Sequence, residues 1–253
     1  NKYIWIRNCS NNKENDDLDT FVKHIDLLKN PVDIVITDGD RSVPSGYDKI
    51  TINTILNNNK INNIYTQNYD RTIIHPKLKY YPIGFDFHTP SKKTNKSIKY
   101  ILEYYRTIDP DYNNKKMKIF CDAHLNISHP ERQIMYNILK NNNNITFLEK
   151  KVLLEELHKE YNKHQFIISP RGIGLDCHRT WEIFINGSIA IVETSSLDNM
   201  YIENNLPVVI LNDWSDLNNN DLDQKLIEWK EKYQEFTQKE HIAERLKCSY
   251  WIK

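Results

Sequence analysis

The chain has 253 residues, 39% hydrophobic and 27% charged, with 34 Lys and Arg against 34 Asp and Glu for a formal net charge of zero. That apolar content excludes a disordered chain, and the length suffices to bury a core in one large or two small domains. No apolar run approaches the roughly 18 to 20 residues of a membrane span, and the balanced charge leaves no basic face for a nucleic-acid backbone, so neither membrane nor nucleic acid is an expected partner. The sequence opens at Asn1 without a charged-then-apolar leader and reads as a piece of a longer chain. Its 31 Asn, 33 Ile and 26 Lys stand against 8 Arg and 6 Gly, so a cluster of arginine and glycine carries more information here than elsewhere. Cys9, Cys121, Cys177 and Cys248 form no close pair. Isolated reduced thiols, and hence a reducing, cytoplasmic setting, are the expectation.

In chain order, strand-length apolar runs alternate with amphipathic stretches, the pattern of an α/β fold. The first half offers strands at 3–7, 33–37, 61–66 and 79–83, with a helix at 17–28. The pattern breaks from about residue 89, and residues 96–116, with a helix-like stretch at 98–105, read as a crossing between two halves. The second half offers strands at 117–121, 144–148, 165–169, 188–193 and 207–211, and helices at 130–139, 153–161, 176–185 and 222–236. Runs such as Phe166-Ile167-Ile168 are nearly continuous apolar stretches, as expected of parallel strands covered on both faces. The Asn runs at 57–59, 141–144 and 218–220 read as loops.

The strand at 33–37 runs directly into Asp38-Gly39-Asp40. Two carboxylates at a strand's carboxyl end fit a general base for an acceptor hydroxyl. The alternatives are an Asp-x-Asp holding Mn2+ on a diphosphate through hard oxygen ligands, or an Asx turn with Gly39 at positive φ. The base reading is favoured because the nucleotide determinants lie in the second half, whereas a metal-holding pair must share the nucleotide's pocket. Asp86 and His88 follow the strand at 79–83 and are reserve candidates for acceptor contact or base. Tyr65, Tyr69, Tyr80 and Tyr81 offer faces to a sugar, yet nothing separates this from core packing.

Residues 165–193 hold two of the eight arginines and three of the six glycines. They run strand, then Ser169-Pro170-Arg171-Gly172-Ile173-Gly174, then a helix with Asp176 as its expected cap, then strand. Ligands of open α/β sheets sit beyond the carboxyl ends of the strands. Gly172 and Gly174 would let backbone approach an anion at the helix N-terminus, with Arg171 and Arg179 as charge-assisted donors. Glu182 stands three residues after Arg179 and four after His178, on the same helical face, and suits a ribose diol. Together these point to a nucleoside diphosphate carrying a further group. The plainer alternative is a helix-surface ion pair beside ordinary turn glycines. In the loop after 117–121, His124, Asn126 and Arg132 would reach the same diphosphate. Alternatively this is a loop capped by Ser128 or His129 ahead of Pro130. Trp214 is assigned to packing.

Ser-Pro-Arg-Gly at 169–172, the Asp176 to Glu182 stretch, the turn Asn186-Gly187-Ser188 and the run Leu206-Pro207-Val208-Val209 resemble the donor-binding half of exostosin-like glycosyltransferases, most specifically over 165–216. The resemblance implies a GT-B-like α/β fold, two Rossmann-like domains facing a central cleft. On that footing residues 1–95 form an acceptor domain, 96–116 the crossing and 117–220 the nucleotide-sugar domain. Residues 221–253 form C-terminal helices packing back on the first domain, with Tyr250-Trp251-Ile252 as anchor. The family's proline is replaced by Ala190, and the short chain implies a trimmed N-terminal domain. The implied activity is transfer of a hexose or pentose from a nucleotide-diphosphate sugar to a glycan or other hydroxyl acceptor. It would be inverting, with no metal or other cofactor, and with Asp40 or Asp38 as base. The alternatives are a Mn2+-dependent transferase using Asp38 and Asp40, and a non-catalytic nucleotide-sugar or glycan-binding module.

Overall fold

The computed structural model describes residues 3–8, 17–87, 98–126 and 129–252. Its first half contains β1 (Tyr3–Arg7), α1 (Asp17–Lys23), β2 (Val32–Thr37), α2 (Lys49–Asn57), β3 (Ile61–Thr66) and β4 (Leu78–Tyr80). All four strands are parallel, in the order β1-β2-β3-β4. Right-handed crossovers in a sheet wound in one direction put its helices on one face. That face is closed by Leu18 of α1 and Ile52, Ile55 and Leu56 of α2 against Ile34 and Ile36 of β2. The Asp48 carboxylate accepts the Ile50 N–H at 2.7 Å and opens α2. The expected helix at 17–28 stops at Lys23, and a 3-10 turn (Ile25–Leu27) follows.

Beyond α3 (Ile98–Thr107), the second half runs β5 (Lys116–Cys121), α4 (Pro130–Leu139), β6 (Ile145–Phe147), α5 (Leu154–Lys163), β7 (His164–Ile168), α6 (His178–Ile185), β8 (Ile189–Glu193), α7 (Asp198–Glu203) and β9 (Val208–Leu211). Three helices close the chain: α8 (Leu222–Tyr233), α9 (Lys239–Arg245) and α10 (Cys248–Trp251). The sheet is parallel in the order β6-β5-β7-β8-β9, so the winding direction reverses between β5 and β7. The carboxyl side of such a reversal is a natural ligand crevice. Alternate residues serve opposite faces. Phe120, Ile167 and Ala190 pack with Trp181 of α6 and Tyr201 of α7. Ile119, Phe166 and Ile191 pack with Met135 of α4 and Leu226 of α8. Trp214 is a packing residue, 1% exposed in the second of these cores.

The chain is therefore α/β, with two Rossmann-like parallel sheets whose carboxyl ends turn toward a common cleft. The helix expected over 222–236 ends at Tyr233, and α8 stays on the second sheet. Return to the first half is made by α10. There the Tyr81 hydroxyl, just past β4, donates to Cys248 Sγ at 3.1 Å. Trp251 packs edge-on against Trp181, ring centroids 6.1 Å apart. Lys115, in the polar run read as a connection, is buried. Its ammonium donates to the carbonyls of Asn162 (2.8 Å) and Asn186 (2.9 Å) and to Ser188 Oγ (3.1 Å). It thereby satisfies carbonyls that the ends of α5 and α6 leave open.

Candidate functional site

The halves are joined by hydrogen bonds between their carboxyl-end loops. Asn68, after β3, accepts the Asp176 N–H on Oδ1 at 2.9 Å and donates through Nδ2 to the Gly39 carbonyl at 3.0 Å. Asp176 Oδ2 accepts the Ile83 N–H at 2.8 Å, and His178 Nδ1 lies 2.8 Å from the Gly84 carbonyl. A carbonyl only accepts, so Nδ1 carries the proton and Nε2 is the basic nitrogen of the neutral ring.

Two cavities flank this seam, of about 530 and 720 Å3. Asp40, Ile83 and His178 line both. The loop carrying Asp40 is held from beneath. Buried Asn8 donates to the Arg41 carbonyl at 2.7 Å and receives the Tyr47 hydroxyl at 2.6 Å. Gln67 and Asn68 both donate to the Gly39 carbonyl. The positive φ of this turn falls on Asp38, at 66°, not on Gly39 as an Asx turn there would require. Gly39 is needed for another reason: a Cβ would lie 1.2 Å from the Asn8 carbonyl oxygen. Across the cleft, a Cβ on Gly174 would come within 3.0 Å of the Asn68 amide and 3.2 Å of Asp40 Oδ1, so the two loops touch.

The first cavity has a charged floor at the β5/β7 reversal. Arg179 donates through Nε (3.2 Å) and Nη2 (3.0 Å) to the two oxygens of Asp122, and the Tyr161 hydroxyl adds a third donor to Oδ1 at 2.8 Å. Burial pushes the Asp122 carboxyl up, but the Arg179 charge and these hydrogen bonds outweigh it and hold the group below the usual carboxylate range. Arg132, 4% exposed, braces the rim by donating to the carbonyls of Arg171 and Asn126, each at 3.0 Å. Burial and the neighbouring Arg179 charge lower its pKa. Both guanidiniums line the first cavity, Arg179 bound to the Asp122 carboxylate and Arg132 to backbone carbonyls.

Asp176 is not the helix cap expected of it: α6 begins at His178 with Cys177 in the cap position and no side-chain cap hydrogen bond. Its carboxyl is buried at 3% exposure and accepts from Trp181 Nε1 and Ile83 N–H. Burial pushes it up to about 6 despite those donors. The same cavity is also lined by apolar Leu125, Leu148, Val152, Leu154 and Leu157.

The structure brings most of the singled-out residues together. Asp40, Asp86, Asn126 and Arg132 line the first cavity, as do Gly172, Gly174, His178, Arg179 and Glu182. The Tyr105 hydroxyl lies 3.4 Å from Glu182 Oε1. Others lie elsewhere. Arg171 lines a separate pocket of about 130 Å3 with Glu131 and Glu193, on the other side of the α6 N-terminus. Its Nη2 donates to the Ile173 carbonyl at 3.1 Å, so Arg171 and Arg179 do not converge on one anion. His124 is stacked on Tyr136 at 4.8 Å and set edge-on to Phe147, which turns it into packing away from the cleft. Asp38 lines only the second cavity. His88 lies outside the described residues. His129, not His124, does the local structural work, accepting the Glu131 N–H ahead of Pro130. Sequence reasoning passed over Asp122, which stands at a strand's carboxyl end but 57 residues from its partner. It also used Asp176 only as a cap.

Among the described residues, no group of three or more His, Cys, Asp and Glu is placed to hold a metal ion, and no helix is long and apolar enough to cross a membrane. The described Cys121, Cys177 and Cys248 are free.

No family model and no curated protein matches the sequence. Several solved glycosyltransferases resemble the chain in structure. The trehalose-6-phosphate enzyme of E. coli bound with UDP-2-fluoro glucose aligns at TM-score 0.48 and 11% identity, over 98% of this chain and 72% of that one. The alpha,alpha-trehalose 6-phosphate synthase of Burkholderia multivorans aligns at 0.45 and 13%, over 98% and 69%. A glycosyltransferase from Rickettsia africae aligns at 0.45 and 14%, over 96% and 80%.

Proposed function

We propose that this chain is a glycosyltransferase of the exostosin-like kind, moving a sugar from a nucleoside-diphosphate donor to a hydroxyl acceptor with inversion and without a metal. The observation that carries the reading is the first cavity: the buried Arg132 and the partly exposed Arg179 at the winding reversal of a parallel sheet, beside the loop carrying Gly172 and Gly174. The diphosphate lies on that floor, with Glu182 toward the ribose and the sugar toward Asp40, Asp86 and His178. Asp40 is the base because it is common to both cavities. It takes the acceptor hydroxyl proton as the new O–C1 bond forms. The bond from C1 to the diphosphate oxygen breaks, and the nucleoside diphosphate departs with its electron pair, stabilised by the cationic floor.

Thermal unfolding is the direct test, run against the diphosphates of uridine, guanosine, adenosine and thymidine and their sugars. A ligand that binds the native state raises the melting temperature, and at least one of these should do so. Indifference to all of them overturns the reading. The matching donor should then release free sugar slowly without acceptor, and a tightly bound but uncleaved donor would make the chain a binding module. Turnover should survive EDTA; loss with chelator and recovery with Mn2+ would assign Asp38 and Asp40 to a metal instead.

A further inference from the structure

We propose that the second cavity seats an uncharged sugar of the acceptor, stacked on Trp5 with its hydroxyls toward Asp38 and Asp40. This rests on the transfer reading above and adds to it the chemical class of the acceptor.

At about 720 Å3 the cavity falls in the range of small-molecule sites, roughly 300–1,000 Å3. Its walls differ in kind. One is aromatic: Trp5, Tyr81, Phe85 and Phe87. The other carries the carboxylates of Asp38 and Asp40 beside the backbone of Gly39. A pyranose is built the same way, with a C–H face and a rim of hydroxyls, and it satisfies both walls at once. The aromatic wall is preorganised. Phe85 is stacked on Tyr105 with ring centroids 4.1 Å apart, and the Trp5 indole N–H donates to Thr37 Oγ1 at 2.7 Å. Among the described residues Trp5 remains 58% exposed, a large apolar face held in place by that hydrogen bond. Fixed aromatic faces bind at little conformational cost.

Charge decides against an anionic acceptor. Among the described residues lining this cavity there are two carboxylates and no Lys or Arg, whereas the first cavity sets Arg132, Lys151 and Arg179 among its five carboxylates, Asp40, Asp86, Asp122, Asp176 and Glu182. The phosphate-bearing end of the reaction belongs on the latter side. A phosphorylated or carboxylated acceptor would meet like charge on the former. A sugar on Trp5 presents a hydroxyl to Asp40, where the cavities join.

Saturation-transfer NMR on the intact chain tests this without requiring turnover. The probes are methyl glycosides of glucose, galactose and mannose, and the 6-phosphate of whichever binds, each measured with and without saturating uridine diphosphate. At least one neutral glycoside should bind, and its 6-phosphate should bind tenfold or more weakly. Trp5→Ala should weaken the neutral sugar tenfold or more without moving the melting temperature, and Trp5→Phe should restore most of the loss. Nucleotide binding is read separately by thermal shift, and its failure removes the transfer reading. A nucleotide-binding chain that takes no neutral sugar, takes the phosphate equally well or ignores Trp5→Ala overturns this inference alone.

Discussion

Arg179 does two jobs at once, and single substitutions separate them. Its guanidinium holds the buried Asp122 carboxylate through two hydrogen bonds. Arg179→Ala strands that charge and should cost about 3–5 kcal/mol of stability, measured by denaturant unfolding. Arg179→Lys keeps a cation near Asp122 but loses the planar fork. It should leave a folded protein whose nucleotide affinity falls tenfold or more, the worth of one charge-assisted contact at roughly 1.5–3 kcal/mol; an unchanged dissociation constant by calorimetry would remove Arg179 from the donor site. Asp40→Asn should retain donor binding and lose transfer, and retained turnover rules Asp40 out as base. Asp176 gives a pH signature. Its folded-state pKa of about 6 lies above the usual carboxylate value, so folding favours the protonated form. The associated stability is complete below about pH 4 and is lost as pH rises through 6, a fall of about 3 kcal/mol. Asp176→Asn should flatten that part of the profile, and an unaltered slope would show that the carboxyl does not carry it.

At the scale of elements, the strands were legible and their supports were not. A parallel strand covered on both faces must be apolar throughout, so runs such as Phe166-Ile167-Ile168 announce themselves. The buried residues of α2, Ile52, Ile55 and Leu56, are interleaved with Asn53, Thr54 and Asn57, and in an Asn-rich chain that stretch looks like loop. Lys115 was equally hidden. It sits in a polar run, and its carbonyl partners come together only once α5 and α6 have packed on the sheet. Lys115→Met should cost about 2–4 kcal/mol by leaving those carbonyls unsatisfied, and a loss below about 0.5 kcal/mol would mean they find other partners. The candidate site was half legible for a related reason. Scarcity of glycine and arginine marked the loop after β7, but adjacency in a loop does not fix direction. Arg171 and Arg179 flank the α6 N-terminus and point into different pockets. Pairings such as Arg179 with Asp122 follow from sheet order, which no local spacing encodes.

On the scale of the whole molecule, the first sheet is wound in one direction and carries α1 and α2 on one face. The last helix, α10, meets the first half through Cys248 at Tyr81, while its Trp251 packs on Trp181 of α6 in the second half. Trp251→Ala should cost about 3 kcal/mol or more, as a drop in melting temperature that added nucleotide partly restores. The loop carrying Asp40 and the loop carrying Gly174 are in contact before any ligand arrives. The proposed reaction therefore takes place at a junction whose two sides are already mated.

Asn68 makes that mating chemically directional. Its amide presents a proton to one backbone and a lone pair to the other, so the group cannot be turned over without spoiling both bonds. Exchange for the isosteric acid removes nothing in volume, yet at neutral pH it sets an oxygen against the Gly39 oxygen. Asn68→Asp should therefore unfold more readily than Asn68→Ala at pH 8 and recover on acidification, an inversion of the ranking that size alone would give.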